Sequence, residues 1–132
     1  MRFVVDASIA AAWAFEDENT PDAALALERL EALGSALVPG HRWFELRNAL
    51  LMSERRGRIT EAGTSKFLHD LARLPITVGR SPDETALLGL ARRYKLTVYD
   101  AAYLELARRE GLALASLDRD LRRRRPASGC RC

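Results

Sequence analysis

Three aspartates stand at or just beyond the ends of short apolar runs: Asp6 after RFVV, Asp100 after LTVY and Asp118 after LALAS. A fourth acid, Glu45, lies near the start of the helix-like stretch that follows ALV at 36–38. One such acid is explained as a helix N-cap, where Asp accepts hydrogen bonds from free N–H groups. That is the simplest account of Asp100 in TVYDAAYLEL at 97–106 taken alone. Three acids in matching places, with a fourth nearby, call for something more. Like charges gathered at one place repel unless they are neutralised. Mg²⁺ or Mn²⁺ would neutralise them, taking oxygen ligands while keeping some waters. The retained positions admit a phosphate oxygen and an attacking water, the arrangement that supports in-line phosphodiester cleavage. No Cys or His accompanies the acids, which argues against zinc. His41 and His69 read as surface or packing residues.

Neighbouring polar residues fit such a site. Asn48 lies three residues after Glu45, on the same helix face, where its amide can orient a carboxylate or a bound water. A half-exposed polar position explains it equally well. Ser8 and Ser116 are placed to hydrogen-bond the acids beside them, and also read as ordinary capping or strand-end serines. Asp120 reads as a cap for the final short helix, so Asp118 is the member of that pair assigned to the cluster.

For these residues to meet, the elements carrying them must end at one rim. Arg2–Val5, Ala36–Val38, Ile76–Val78, Leu96–Tyr99 and Leu112–Ser116 read as five strands. Between them fall helices from Ser8 to about Phe15, and from Thr20-Pro21-Asp22 to Gly34 with Leu27, Leu30 and Leu33 as the apolar face. Arg42 to about Arg56 turns Leu46, Ala49 and Leu50 inward, and a helix opened by Thr60 offers Phe67, Leu68 and Leu71. Ser81-Pro82-Asp83-Glu84 forms a capping box for a helix running through Leu87, Leu88 and Ala91 to Tyr94. Ala101–Glu110, stopped by Gly111, is the last long helix. Strands alternating with helices, and apolar throughout, imply an α/β fold with a parallel sheet covered on both faces. Its strand ends share a rim, where open α/β sheets bind ligands.

The 132 residues make one domain, and 48% apolar content excludes a disordered chain. Asp6 interrupts the apolar start, so no signal peptide is read there. The longest uncharged apolar stretch, Ala7–Phe15, is too short to span a bilayer. A cytoplasmic protein is expected. Cys130 and Cys132 form a C-x-C near the end of the chain, a weak metal or disulfide signal read as free thiols. The net charge of +3 is uneven: residues 1–40 hold two basic and seven acidic side chains, residues 41–132 nineteen and eleven. Nineteen of the 21 basic residues are Arg, which suits bidentate contact with phosphate or carboxylate. Nucleic acid is a compatible partner.

Four segments carry a family resemblance: VVDASI at 4–9, P-x-x-x-W-x-E-L-R-N-A-L at 39–50, YDAAYLELA at 99–107 and ASLDRDL at 115–121. In this order and spacing, over nearly the whole chain, they resemble the PIN-domain ribonucleases, and most closely the VapC-like toxins of bacterial toxin–antitoxin pairs. The resemblance implies an α/β/α sandwich, here over residues 1–121, and the Arg-rich residues 122–132 after it read as a frayed tail. It implies Mg²⁺- or Mn²⁺-dependent endonuclease activity on RNA, an antitoxin that blocks the site, and a homodimer. Carried over by motif, the catalytic acids are Asp6, Glu45, Asp100 and Asp118. Asp6 and Asp100 are the principal metal ligands, with Asp118 as a third. Ser116 stands where many relatives have Thr, which keeps the hydroxyl. The tail RRRRPASGCRC departs further, since relatives continue with an apolar helix.

Other classes fit less well. A non-catalytic PIN-like module for RNA or protein would be favoured by a missing acid, and none is missing. An aspartyl-nucleophile phosphatase wants D-x-D after the first strand, where this chain has Asp6-Ala7-Ser8. No G-x-G-x-x-G follows any strand, which excludes dinucleotide binding.

Overall fold

The computed structural model describes residues 2–18, 20–32 and 34–124, the side chains of residues 16 and 120 excepted. Cys130 and Cys132 lie outside the described residues. Four strands, β1 (Arg2–Val5), β2 (Ser35–Val38), β3 (Ile76–Val78) and β4 (Ala113–Ala115), form one parallel sheet in the order β3-β2-β1-β4. Alternation along the strands sets the layers. Phe3, Val5, Ala36 and Val38 pack on Ile9 and Ala12 of α1 (Ala7–Ala12) and on Ala23, Ala26 and Leu30 of α2 (Pro21–Glu31). Val4, Leu37 and Leu114 face the other way, onto Tyr103, Leu104, Leu106 and Ala107. The architecture is therefore α/β, with helices on both faces of a parallel sheet.

Helix α3 (Arg42–Arg55) follows β2 and buries Leu46 and Leu50 beside Ala10, Phe15 and Leu71, the last on α4 (Glu61–Leu71). Trp13 ties α1 to α2 by donating its indole N–H to the Ala23 carbonyl at 2.8 Å. On the opposite face α5 (Glu84–Tyr94) packs against α6 (Val98–Glu110), and α7 (Arg119–Arg124) closes the described chain with Leu121 buried. Residues 122–124, assigned from the sequence to the tail, are the end of α7. No helix among the described residues is long and apolar enough to cross a membrane.

Three sequence expectations are corrected. Leu96–Tyr99 is not a strand: α6 begins at Val98, and the Thr97 hydroxyl caps it by accepting the Asp100 N–H at 3.1 Å. Val98 and Tyr99 are exposed, so the β-branched run has no sheet neighbour to pack against. The cap of α5 is Asp83 rather than Ser81, its carboxylate accepting the Ala86 N–H. The buried face of α2 also shifts, to Ala23, Ala26 and Leu30, leaving Leu27 partly exposed and Leu33 outside the described residues.

Candidate active site

The strand order reverses at β1: β2 and β3 lie to one side and β4 to the other. A crevice outside the carboxyl ends of the strands is the expected ligand position at such a reversal. Asp6 follows β1 there and is buried, 4% exposed. Its backbone N–H donates to the Ala115 carbonyl, fixing it against β4. Its Oδ1 accepts the Ser8 hydroxyl at 2.6 Å and the Ile9 N–H at 3.2 Å, so it also caps α1. Its Oδ2 accepts the Ser116 hydroxyl. Ser8 Oγ in turn accepts the Leu117 N–H, and Ser116 Oγ the Asp118 N–H. Both serines left open by the sequence thus serve one carboxylate. Burial pushes the Asp6 carboxyl above its ordinary range and the charge of Asp118 adds to this, against the lowering effect of its three donors.

Glu45 enters from the first turn of α3. Its Oε1 accepts the Tyr103 hydroxyl at 2.6 Å and stands 3.3 Å from His41 Nε2. The His41 contact has the distance of an ion pair but not the alignment of a good hydrogen bond. Burial alone would raise the Glu45 carboxyl, yet His41 and Tyr103 together hold it below the ordinary range. Glu45 also sets the state of its partner: burial, then the adjacent carboxylate, push the Tyr103 phenol far up, so it stays a donor.

Asp100 sits in the first turn of α6 rather than at a strand end, and comes to the rim because that helix starts there. Burial raises its carboxyl, and the charges of Asp118 and Glu45 raise it further. Asp118, exposed after β4, accepts the Leu121 N–H at 3.1 Å and so caps α7. Asp118 therefore acts electrostatically on both Asp6 and Asp100, and Glu45 on Asp100. The four acids anticipated from the sequence come together at one rim. Among the described residues, however, no group of three or more His, Cys, Asp or Glu side chains stands arranged to hold a metal ion. Asn48 is exposed on the same side of α3 as Glu45 and lines a shared cleft.

A model of the PIN domain matches residues 3–125. The chain belongs to the PIN-domain family. It is 32% identical over 130 residues to Ribonuclease VapC3 of Pyrobaculum aerophilum, covering 96% of this chain and 97% of the relative. It is 33% identical over 111 residues to Ribonuclease VapC3 of Mycobacterium tuberculosis, covering 83% and 80%. A crystal structure of a Pyrobaculum aerophilum protein superposes with a TM-score of 0.74 at 26% identity, over 95% of this chain and 85% of that one. In this PIN-domain chain the four motifs fall on β1–α1, β2–α3, α6 and β4–α7, each delivering one acid.

Two neighbours of the acids, Tyr103 and Thr97, were not singled out from the sequence. A third, His41, is corrected: read as a surface or packing residue with no His beside the acids, it stands 3.3 Å from Glu45. Tyr103 lies three residues after Asp100 on α6, a spacing that places both on one helix face. His41 precedes Glu45 by four residues, the same kind of signal. Thr97 was hidden by the assignment of LTVY to a strand.

Proposed function

We propose that this chain is a divalent-metal-dependent endoribonuclease, the toxin of a toxin–antitoxin pair. The observation that carries this reading is the convergence of Asp6, Glu45, Asp100 and Asp118 where the sheet order reverses. Membership of the PIN-domain family and likeness to ribonucleases along nearly the whole chain support it.

The donor set fits a hard cation. It is all oxygen, and burial first, then the charges of neighbouring acids, raise the carboxyls of Asp6 and Asp100, costs of ionisation that a divalent ion would offset. Asp6, Asp100 and Asp118 would hold Mg²⁺ or Mn²⁺. Such an ion supplies charge stabilisation for phosphate and an acidified water. Ser8 and Ser116 aim both oxygens of Asp6 from opposite sides. Tyr103 and His41 both engage Oε1 of Glu45, keeping the carboxylate ionised and leaving Oε2 to orient a water or take its proton. An antitoxin would act by covering these acids. The exposed Trp43 and Leu51 on α3 and Leu25 on α2 offer apolar surface for a second copy of the chain.

The test is incubation of the purified protein with single-stranded RNA in Mg²⁺, in Mn²⁺ and in chelator. Cleavage with either ion and none in chelator is expected. RNA that is bound but left intact in both ions would return the chain to a non-catalytic binding module.

A further inference from the structure

Helix α3 presents positions 41, 44, 45 and 48 on one side, spaced by three, four and seven residues. His41, Phe44 and Asn48 thereby surround Glu45, and Tyr99 from the first turn of α6 completes a cleft of about 390 Å³. That volume falls within the range of small-ligand sites, roughly 300–1,000 Å³. Phe44 is 70% exposed and Tyr99 62%, and neither belongs to a core cluster. Both rings are nonetheless held by neighbours. Phe44 meets Trp43 edge to face at 5.0 Å, and Trp43 lies under the Arg47 guanidinium at 3.8 Å. Tyr99 meets His41 at 5.4 Å, and His41 leans on Tyr103 at 5.1 Å.

Building on the ribonuclease reading, we propose that this cleft is a nucleobase subsite. An unpaired base next to the scissile phosphate stacks on Phe44 and Tyr99, and the Asn48 carboxamide meets its hydrogen-bonding edge. Glu45 belongs both to the cleft and to the acid cluster, so base and phosphate come from the same or the adjoining nucleotide. Rings facing water beside the reacting groups are what stacking requires. Arg47 favours RNA over a protein segment: it stacks on Trp43, the ring that braces Phe44, and donates one N–H to the Trp43 carbonyl. It has no carboxylate partner among the described residues, so its remaining N–H groups can meet a phosphate. The cleft also mixes its rings with His41, Glu45 and Asn48, where an amphipathic helix would need a continuous apolar strip. Stacking accepts any base, so preference at this position falls to Asn48.

The test combines kinetics with a fluorescence readout. Cleavage of single-stranded RNA is compared for wild type, Phe44→Ala and Phe44→Trp, on intact substrate and on substrate abasic at successive positions around the cut. Phe44→Ala should raise KM on the order of tenfold, with kcat moving far less, and Phe44→Trp should restore it. With the base beside the cut removed, wild type and Phe44→Ala should become equal. Separately, in chelator and in the Asp100→Asn background, where nothing is cut, a short RNA carrying 2-aminopurine should be quenched on binding, and the quenching should vanish with Phe44→Ala. Equal loss on intact and abasic RNA, or quenching that survives Phe44→Ala, overturns the proposal. Unchanged RNA kinetics with loss of binding to a second copy or an antitoxin would make the patch a protein-docking surface instead. If wild type cuts no RNA, the ribonuclease reading fails and the quenching experiment still decides the subsite. Phe44 is mostly exposed, so its truncation leaves the fold intact, as melting will verify.

Discussion

Asp100 does not cap its own helix; Thr97 does. A replacement at Asp100 therefore tests charge rather than helix initiation. Asp100→Asn should abolish cation-dependent cleavage while melting no lower than wild type in chelator, since one member of a repelling group has gone. RNA cleavage and thermal melting in chelator, run on both proteins, check this; wild-type cleavage by the mutant would remove Asp100 from the site. Ser116 carries the opposite kind of dependence. It is buried, donates to Asp6 and accepts from the Asp118 N–H. Ser116→Ala strands both groups and should cost about 1–3 kcal/mol in urea unfolding, whereas Ser116→Thr keeps the hydroxyl and most of the stability. Asp6, Glu45 and Asp118 could be placed from the sequence because each follows a strand that the structure contains. Asp100 was placed after a strand that is in fact the start of α6, and it reaches the rim because that helix begins there. Tyr103 was not legible, because a tyrosine on an apolar helix face looks like core, and only the structure shows its hydroxyl on Glu45.

At the scale of elements, the strands at 2–5 and 76–78 and the long helices were readable from hydrophobic period and caps. LTVY misled because β-branched residues before an acid fit a strand end as well as a helix start. Neighbours decide between these, and the sheet has no place beside residues 96–99; Thr97 then outcompetes the strand by capping. The same residue yields a third prediction. Thr97→Ala should lower stability by about 1 kcal/mol in urea unfolding and also reduce cleavage, because the frayed first turn of α6 is the one that carries Asp100. Thr97→Ser should behave nearly as wild type. The cap of α5 moved from Ser81 to Asp83 because the segment holds two good capping residues, a choice that local pattern does not make. On α2 the expected Leu30 is buried, and Ala23 and Ala26 join it against the sheet in place of Leu27, because small side chains also pack on a buried face and a pattern read from leucines alone passes over them.

For the whole molecule, the uneven charge bears on RNA binding. Arg47 lies on α3, two residues after Glu45, and Arg119 opens α7, next to Asp118. Binding of single-stranded RNA should weaken as salt rises, and Arg47→Ala should flatten the log–log slope by about one; anisotropy titrations over a salt series measure this. Leu51 is 42% exposed on α3. If the proposed homodimer forms through this surface, Leu51→Arg should reduce the mass to that of one chain in light scattering without lowering the melting temperature. A mutant that stays dimeric would place the contact elsewhere, and a wild type with the mass of one chain would remove the dimer. One feature of Asp6 has a bearing on the time course of folding. Its ligating hydroxyls come from positions 8 and 116, and its backbone pairs with residue 115, so the first strand completes its surroundings only when the last strand docks. Contacts this distant along the chain form slowly. A chain still emerging from the ribosome has Asp6 and Glu45 in hand but neither Ser116 nor Asp118. The site is thus assembled last, and a chain still being synthesised does not yet hold the complete set of acids with the hydroxyls that aim them.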